Sequence, residues 1–232
     1  MRYIVCIVLL AAAGSAPAQV FSGNNSFSIT NGNPNGLWSY GYRGIATGTG
    51  FNFLNVTSSS GPIVTWSLSN NIPVVSHNTD QVNPYDSGTA TWAPNEMIMH
   101  PGSSPSTEYA LLRFISPING TVQITAMLAG RDDDTPATTD AHIVRNGIEL
   151  TSGNMIGQGA GPTLTTTSVI ASGDIIDFAL GDGSTTSDFF NDSTGVYFTI
   201  TAVPEPTSIF LCCAVAGPIL GRRIWRRLRK ID

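Results

Sequence analysis

The chain predicts an all-β fold, an antiparallel β-sandwich with jelly-roll winding as the first choice and another Greek-key sandwich as the second. Three features of its 232 residues point there. Between residues 19 and 202 no apolar stripe with helical spacing runs beyond a turn or two. Gly, Ser, Thr and Asn break the chain at roughly eight- to twelve-residue intervals, the punctuation of a many-stranded sandwich. Between the breaks, apolar and polar residues alternate, which sends successive side chains to opposite faces of a sheet.

The strands follow in order. Trp38–Arg43 places Trp38, Tyr40 and Tyr42 at i, i+2 and i+4, three rings on one face, and that face is read as core because the rest of the body is rich in small residues. Ile63–Leu68 and Tyr109–Ile115 come next. Thr121–Leu128 is the clearest, with Val122, Ile124, Ala126 and Leu128 sharing a face behind an Asn119-Gly120 turn pair. His142–Arg145 and Ile148–Leu150 flank Asn146-Gly147, whose two residues suit the positive φ of a tight hairpin. Leu164–Ile170, Ile175–Leu180 and Val196–Thr201 complete nine segments, enough for two packed sheets.

The two ends read differently. Arg2 precedes an apolar run from Tyr3 to Ala13, too short for a stable membrane span. Gly14-Ser15-Ala16-Pro17-Ala18 supplies the small residues of a signal-peptidase exit, with Ala16 and Ala18 before cleavage at Gln19. At the C-terminus Pro204-Glu205-Pro206 precedes an apolar stretch from Ile209, Phe210 and Leu211 to Leu220, followed by Arg222, Arg223, Arg226, Arg227, Arg229 and Lys230. A short apolar helix ending in basic residues is held with its last residues on the cytoplasmic side, and the prolines keep the preceding link extended. The expected organisation is a signal peptide at 1–18, a β-sandwich domain at 19–202 and a single transmembrane sorting helix within 203–232.

These three tail parts, in this order, resemble the PEP-CTERM sorting signal. The resemblance implies removal of the tail by an exosortase near Pro204–Pro206, after an inner-membrane-anchored stage, and a mature protein at the cell surface or outside it. Asn33-Pro34-Asn35-Gly36, Trp38-Ser39-Tyr40-Gly41, His100-Pro101-Gly102 and Gly173–Phe178 resemble the bodies of exported proteins with such tails. For residues 31–201 this implies a jelly roll like that of carbohydrate modules, and it brings no activity with it. Signal peptidase and exosortase are the implied processing partners.

Composition narrows the function of the body. Cys6 lies in the leader and Cys212 and Cys213 in the tail, so the body folds without disulfides or thiolate metal sites. It holds Arg43, Arg113, Arg131 and Arg145 against fourteen acidic residues, a net charge near −10 that the basic tail hides in the whole-chain value of −5. Such a body repels phosphate backbones, which excludes nucleic acid as a partner.

The body offers candidates for four kinds of site. Loop aspartates, with Asp132, Asp134, Asp182 and Asp188 foremost, are candidate ligands for calcium, although their spacing fits no EF-hand and Asp also belongs in solvated turns. Glu96, Glu108 and Glu149 are the body's only glutamates, and nothing in the sequence sets two of them across a cleft as glycoside hydrolysis requires. Gly102-Ser103-Ser104-Pro105 lacks the second glycine of a nucleophile elbow, and His77, His100 and His142 do not have zinc spacing. Tyr85 and Trp92, in a Pro- and Gly-rich stretch, are the candidate platform for stacking on sugar faces. The expectation is a non-enzymatic surface or matrix protein that binds polysaccharide, with no cofactor other than candidate calcium. The alternatives are a secreted polysaccharide hydrolase and a purely structural coat protein.

Overall fold

A computed structural model describes residues 18–69, 72–102, 108–133, 136–183 and 190–204. Residues Gln19–Val203 form one compact unit. Its strands are β1 (Val20–Ser22), β2 (Trp38–Arg43), β3 (Asn52–Phe53), β4 (Val56–Ser60), β5 (Ile63–Ser67), β6 (Val74–Asn78), β7 (Tyr85–Asp86) and β8 (Thr91–Trp92). They continue as β9 (Met97–His100), β10 (Tyr109–Ile115), β11 (Gly120–Gly130), β12 (Ala137–Arg145), β13 (Ile148–Gly157), β14 (Gly159–Ile170), β15 (Ile175–Gly181) and β16 (Thr194–Ala202).

Two antiparallel sheets pack face to face. The larger runs β14-β11-β16-β9-β6-β5-β4, with β1 pairing β16, and the smaller runs β13-β12-β15-β10-β2-β3. β7 and β8 form a separate ribbon. From β9 to β16 the chain alternates between the sheets, except at the β12–β13 hairpin, where Asn146 and Gly147 take φ of 50° and 84°. Asn119-Gly120 departs from the expected turn pair, because Gly120 is already the first residue of β11 and pairs with Ile170.

The alternation of the sequence decides which faces meet. Val122, Ile124 and Ala126 of β11 and Val196, Phe198 and Ile200 of β16 are fully buried, and so are Phe114, Ile143 and Phe178 from the opposing sheet. Phe198 bridges the two layers, with its ring 6.0 Å from Trp38 and 5.6 Å from Phe178. Trp38 and Tyr40 lie in this core and Tyr42 packs against it. Each large side chain so enclosed contributes about 1.5–3 kcal/mol relative to exposure.

The outer face of the smaller sheet is partly roofed. Residues 44–51 fold back across it, and Leu111, Val144 and Ala179 are buried although they point away from the core. Arg43 organises this roof by donating to the carbonyls of Ile45, Ala46 and Gly48, while Arg113 donates to the Thr49 carbonyl and lies 4.3 Å from the centre of the Phe51 ring. A Cβ at Gly41 would collide with that ring, so glycine is what lets the roof lie close.

Candidate functional site

The sequence-derived site residues scatter over the molecule. Tyr85 and Trp92 face each other across the β7–β8 ribbon with ring centres 6.0 Å apart. Both are half-buried, and the Trp92 Nε1 is enclosed without an acceptor among the described residues. Ala18 and Pro204 are exposed. Ala16, Glu205, Pro206, Ile209, Phe210, Leu211, Leu220, Arg222, Arg223, Arg226 and Arg227 lie outside the described residues, as do Asp134 and Asp188. No described helix is long and apolar enough to cross a membrane.

Asp132 and Asp182 are not solvated turn residues: both are 8% exposed, and Asp192, also a loop aspartate, is fully buried. Asp192 Oδ1 accepts from the Thr138 amide at 2.8 Å and from its hydroxyl at 3.2 Å. Asp132 Oδ2 accepts from the Ser193 amide at 2.5 Å. Burial first, and then the charges of Asp182 and Asp132, push the Asp192 carboxyl up to about 6. Among the described residues no group of three or more His, Cys, Asp or Glu side chains is arranged to hold a metal ion.

Past the roof, the smaller sheet carries a polar chain that the sequence did not reveal, because its members become neighbours only once β10, β12 and β13 join one sheet. Tyr109 donates to Asp140 Oδ2 at 2.8 Å. His142 meets Asp140 through Nε2 at 2.7 Å and Glu149 through Nδ1 at 2.5 Å, and Ser152 donates to Glu149 at 3.0 Å. Burial opposes charge on His142, but the two carboxylate hydrogen bonds outweigh it and raise its pKa. Burial and the Asp140 charge push the Tyr109 hydroxyl well above its usual range, so it stays a donor. Glu149 is exposed on its strand and still takes part in this chain through His142 and Ser152. Neither ring nitrogen of His142 is left to act as a base, and Ser152 addresses Glu149 rather than the imidazole. A general base must reach the proton it removes, and this imidazole faces only carboxylates.

An open cleft of ~700 Å³ lies along the N-terminal segment, within the usual size of small-molecule sites. Asn25, Asn31 and Asn35 give it amides, Ser22, Ser26 and Ser28 give it hydroxyls, and the partly buried Phe21 and Phe27 give it ring surface. None of its described lining residues is ionisable. A tight turn builds one wall: Asn35 and Trp38 exchange backbone hydrogen bonds of 2.8 and 3.1 Å around Gly36, whose φ of 59° favours glycine. Asn35 also donates to the Ser26 carbonyl at 2.7 Å, tying this wall to the opposite one. Phe21 rests on Phe114 and Phe27 on Tyr40, so the core fixes the rings. The only sequence signal for this cleft was the Asn33–Gly41 motif, which supplies Asn35, Gly36 and Trp38. Asn33 serves the backbone instead, donating to the carbonyls of Tyr40 and Leu54.

No protein-family model and no curated protein matches the chain. Among solved structures it is similar to a CBM4 module, at 13% identity over 62% of this chain and 86% of that one, with a TM-score of 0.33. It is also similar to a family 35 carbohydrate binding module from Clostridium thermocellum, at 14% identity over 64% and 98% with a TM-score of 0.32, and to rabbit GITRL, at 15% over 42% and 74% with 0.27. Likenesses at these scores carry no argument about ligand or ancestry.

Proposed function

We propose that the chain is an exported, surface-retained protein that binds an uncharged polysaccharide without transforming it, and that the cleft along residues 20–38 is its binding site. The observation that carries this reading is the cleft's lining. Amides and hydroxyls match the alternating donors and acceptors of sugar hydroxyls, ring surface matches their C–H faces, and no ionisable group is present in a body near −10. The engaged nitrogens of His142 favour binding over catalysis. We read the alternation of β9 to β16 between the sheets as a jelly roll. Export and retention rest on the Ala16-Pro17-Ala18 exit and the PEP-CTERM-like tail.

Retention of the protein on its own organism's exopolysaccharide tests the binding. Asn31 is exposed, and no described side-chain hydrogen bond uses its amide, so Asn31→Ala is expected to weaken retention and leave the melting temperature unchanged. Wild-type protein that is retained by no uncharged polysaccharide refutes the reading. Mass spectrometry of the surface form tests the processing: Gln19 at the N-terminus and no peptide from Arg222 to Lys230 is expected, and a mature protein keeping that peptide refutes it.

A further inference from the structure

The two outer faces of the sandwich differ in charge. Arg43, Arg113, Asp140, His142 and Asp177 all project from the outer face of the smaller sheet. On the larger sheet, the outward positions of β14, β11, the C-terminal half of β16 and β1 carry no ionisable side chain except the Tyr197 phenol. The strand register sets the others in rows. Thr165, Thr125, Thr199 and Ser22 stand side by side across the four strands, and the adjacent row holds Thr167, Gln123, Thr201 and Val20.

We propose that this threonine-lined face is a second contact surface for an uncharged, ordered polysaccharide, continuous with the cleft along residues 20–38. The inference rests on the cleft reading for the ligand class and adds a place where a polymer, rather than a short oligosaccharide, is held.

Four physical points support it. Neighbouring rows lie ~6.7 Å apart along the strands and neighbouring strands ~4.8 Å apart, so these eight side chains, six of them hydroxylic, form a regular grid about 14 Å wide over four strands. Among the described residues the side chains of Thr125, Thr165, Thr167, Thr199 and Thr201 form no hydrogen bond within the protein, so each is open to an outside partner. β-branched side chains are already restricted at χ1, so ordering them against a ligand loses little entropy, whereas Lys, Arg or Glu would lose much more. Finally, Ser22 and Val20 end the two rows and also line the cleft, which makes the two surfaces one path. Met127 and Val169, 52% and 66% exposed, flank the grid and give apolar contact to sugar C–H faces. An uncharged face on an acidic body suits a neutral partner; a cationic one would be drawn to the carboxylates elsewhere, and an anionic one repelled.

The test uses protein recovered from the cell surface and compares wild type, Asn31→Ala and the double variant Thr165→Lys/Thr201→Lys. The probes are the organism's own exopolysaccharide, microcrystalline cellulose, chitin, alginate and short soluble oligosaccharides of the uncharged polymers. The double variant puts one lysine in each row on different strands, and its melting temperature is expected to stay near the wild-type value. Its apparent affinity for the insoluble uncharged polymers is expected to fall by about tenfold, with oligosaccharide binding unchanged. Loss of retention in the double variant alone, with Asn31→Ala behaving as wild type, upholds the face and overturns the cleft. Unchanged retention in the double variant overturns the face and leaves the cleft. Wild-type retention only on alginate, or a double variant that differs only by dissociating a dimer in sedimentation, also overturns the face.

Discussion

Arg113 grips Asp177 with two parallel hydrogen bonds, Nε to Oδ1 at 2.7 Å and Nη2 to Oδ2 at 2.9 Å, on a carboxylate that is 1% exposed. Arg43 adds a third bond through Nη1 at 2.7 Å. Two guanidiniums that each also hold the 44–51 roof thus share one buried anion, and the roof depends on it. Removing one member of a buried ion cluster leaves the others uncompensated, which costs about 3–5 kcal/mol. Asp177→Ala is therefore expected to lower unfolding free energy in urea by that order and to speed amide exchange between residues 45 and 50. A variant as stable as wild type would show that the roof holds without its anion.

Gly147 adopts a φ of 84° in the β12–β13 turn, and its carbonyl accepts the Gly48 amide of the roof at 2.9 Å. A Cβ there meets the Gly48 carbonyl carbon at 3.0 Å and Thr49 at 3.1 Å. Gly147→Val therefore combines backbone strain with crowding against the roof, and a loss of roughly 1–3 kcal/mol is expected in thermal or urea unfolding. An unchanged midpoint would count against the turn geometry.

The strands legible in the sequence carry large apolar residues at alternate positions between polar or glycine breaks, even where the second face is also covered, as in β2. Trp38–Arg43 and Tyr109–Ile115 coincide with β2 and β10, and the Asn146-Gly147 hairpin lies where its turn chemistry put it. β4 was missed because Val56–Ser60 is exposed throughout, and β9 because Met97–Met99 is buried on both faces, so neither alternates. The functional surfaces were harder to read for a different reason. The Glu149–His142 contact is not legible because the two residues stand seven apart across a hairpin, and the threonine grid exists only once β14, β11, β16 and β1 come into register. The aspartates looked like turn formers by composition, and only the packing of Thr138 and Ser193 against them makes Asp192 and Asp132 buried acceptors.

His142 between Asp140 and Glu149 gives stability a dependence on pH. Its folded pKa is raised above the unfolded value, so its contribution is complete below about pH 6.5 and disappears as pH climbs through the raised value. Glu149, whose pKa is lowered first by the His142 hydrogen bond, contributes above its unfolded value and loses that contribution as pH falls through its folded one. Once neutral, the imidazole keeps a single N–H and can satisfy one carboxylate only. Melting temperature is expected to decline above about pH 6.5 in the wild type and to do so less in His142→Gln. Parallel declines in both proteins would exclude this pair of bonds as the cause.

Asp192 acts in the same direction as His142, lowering stability as pH rises, but through a buried acid rather than a base. Its Oδ1 is satisfied by Thr138, while Oδ2 is enclosed with no hydrogen-bond partner among the described residues, and the charges of Asp182 and Asp132 act on it. Its folded pKa of about 6 lies above the ordinary aspartate value of 3.8, so the ionised carboxylate penalises the fold above pH 6, and the penalty fades as pH falls from 6 toward 3.8. Asp192→Asn keeps an Oδ1 acceptor for Thr138 and replaces the charge with an amide whose N–H can face the neighbouring carboxylates. The variant is expected to be more stable than wild type at pH 8, by on the order of 2 kcal/mol, with the gap closing by about pH 4. Urea unfolding of both proteins at those two pH values, with chelator present, measures it. Repeating the pH 8 pair in millimolar calcium separates a proton from a cation as the compensating charge: a midpoint that rises in wild type but not in Asp192→Asn assigns the role to calcium. If Asp192→Asn is destabilised equally at both pH values in chelator, the buried carboxylate carries no penalty and the argument from its enclosed oxygen fails.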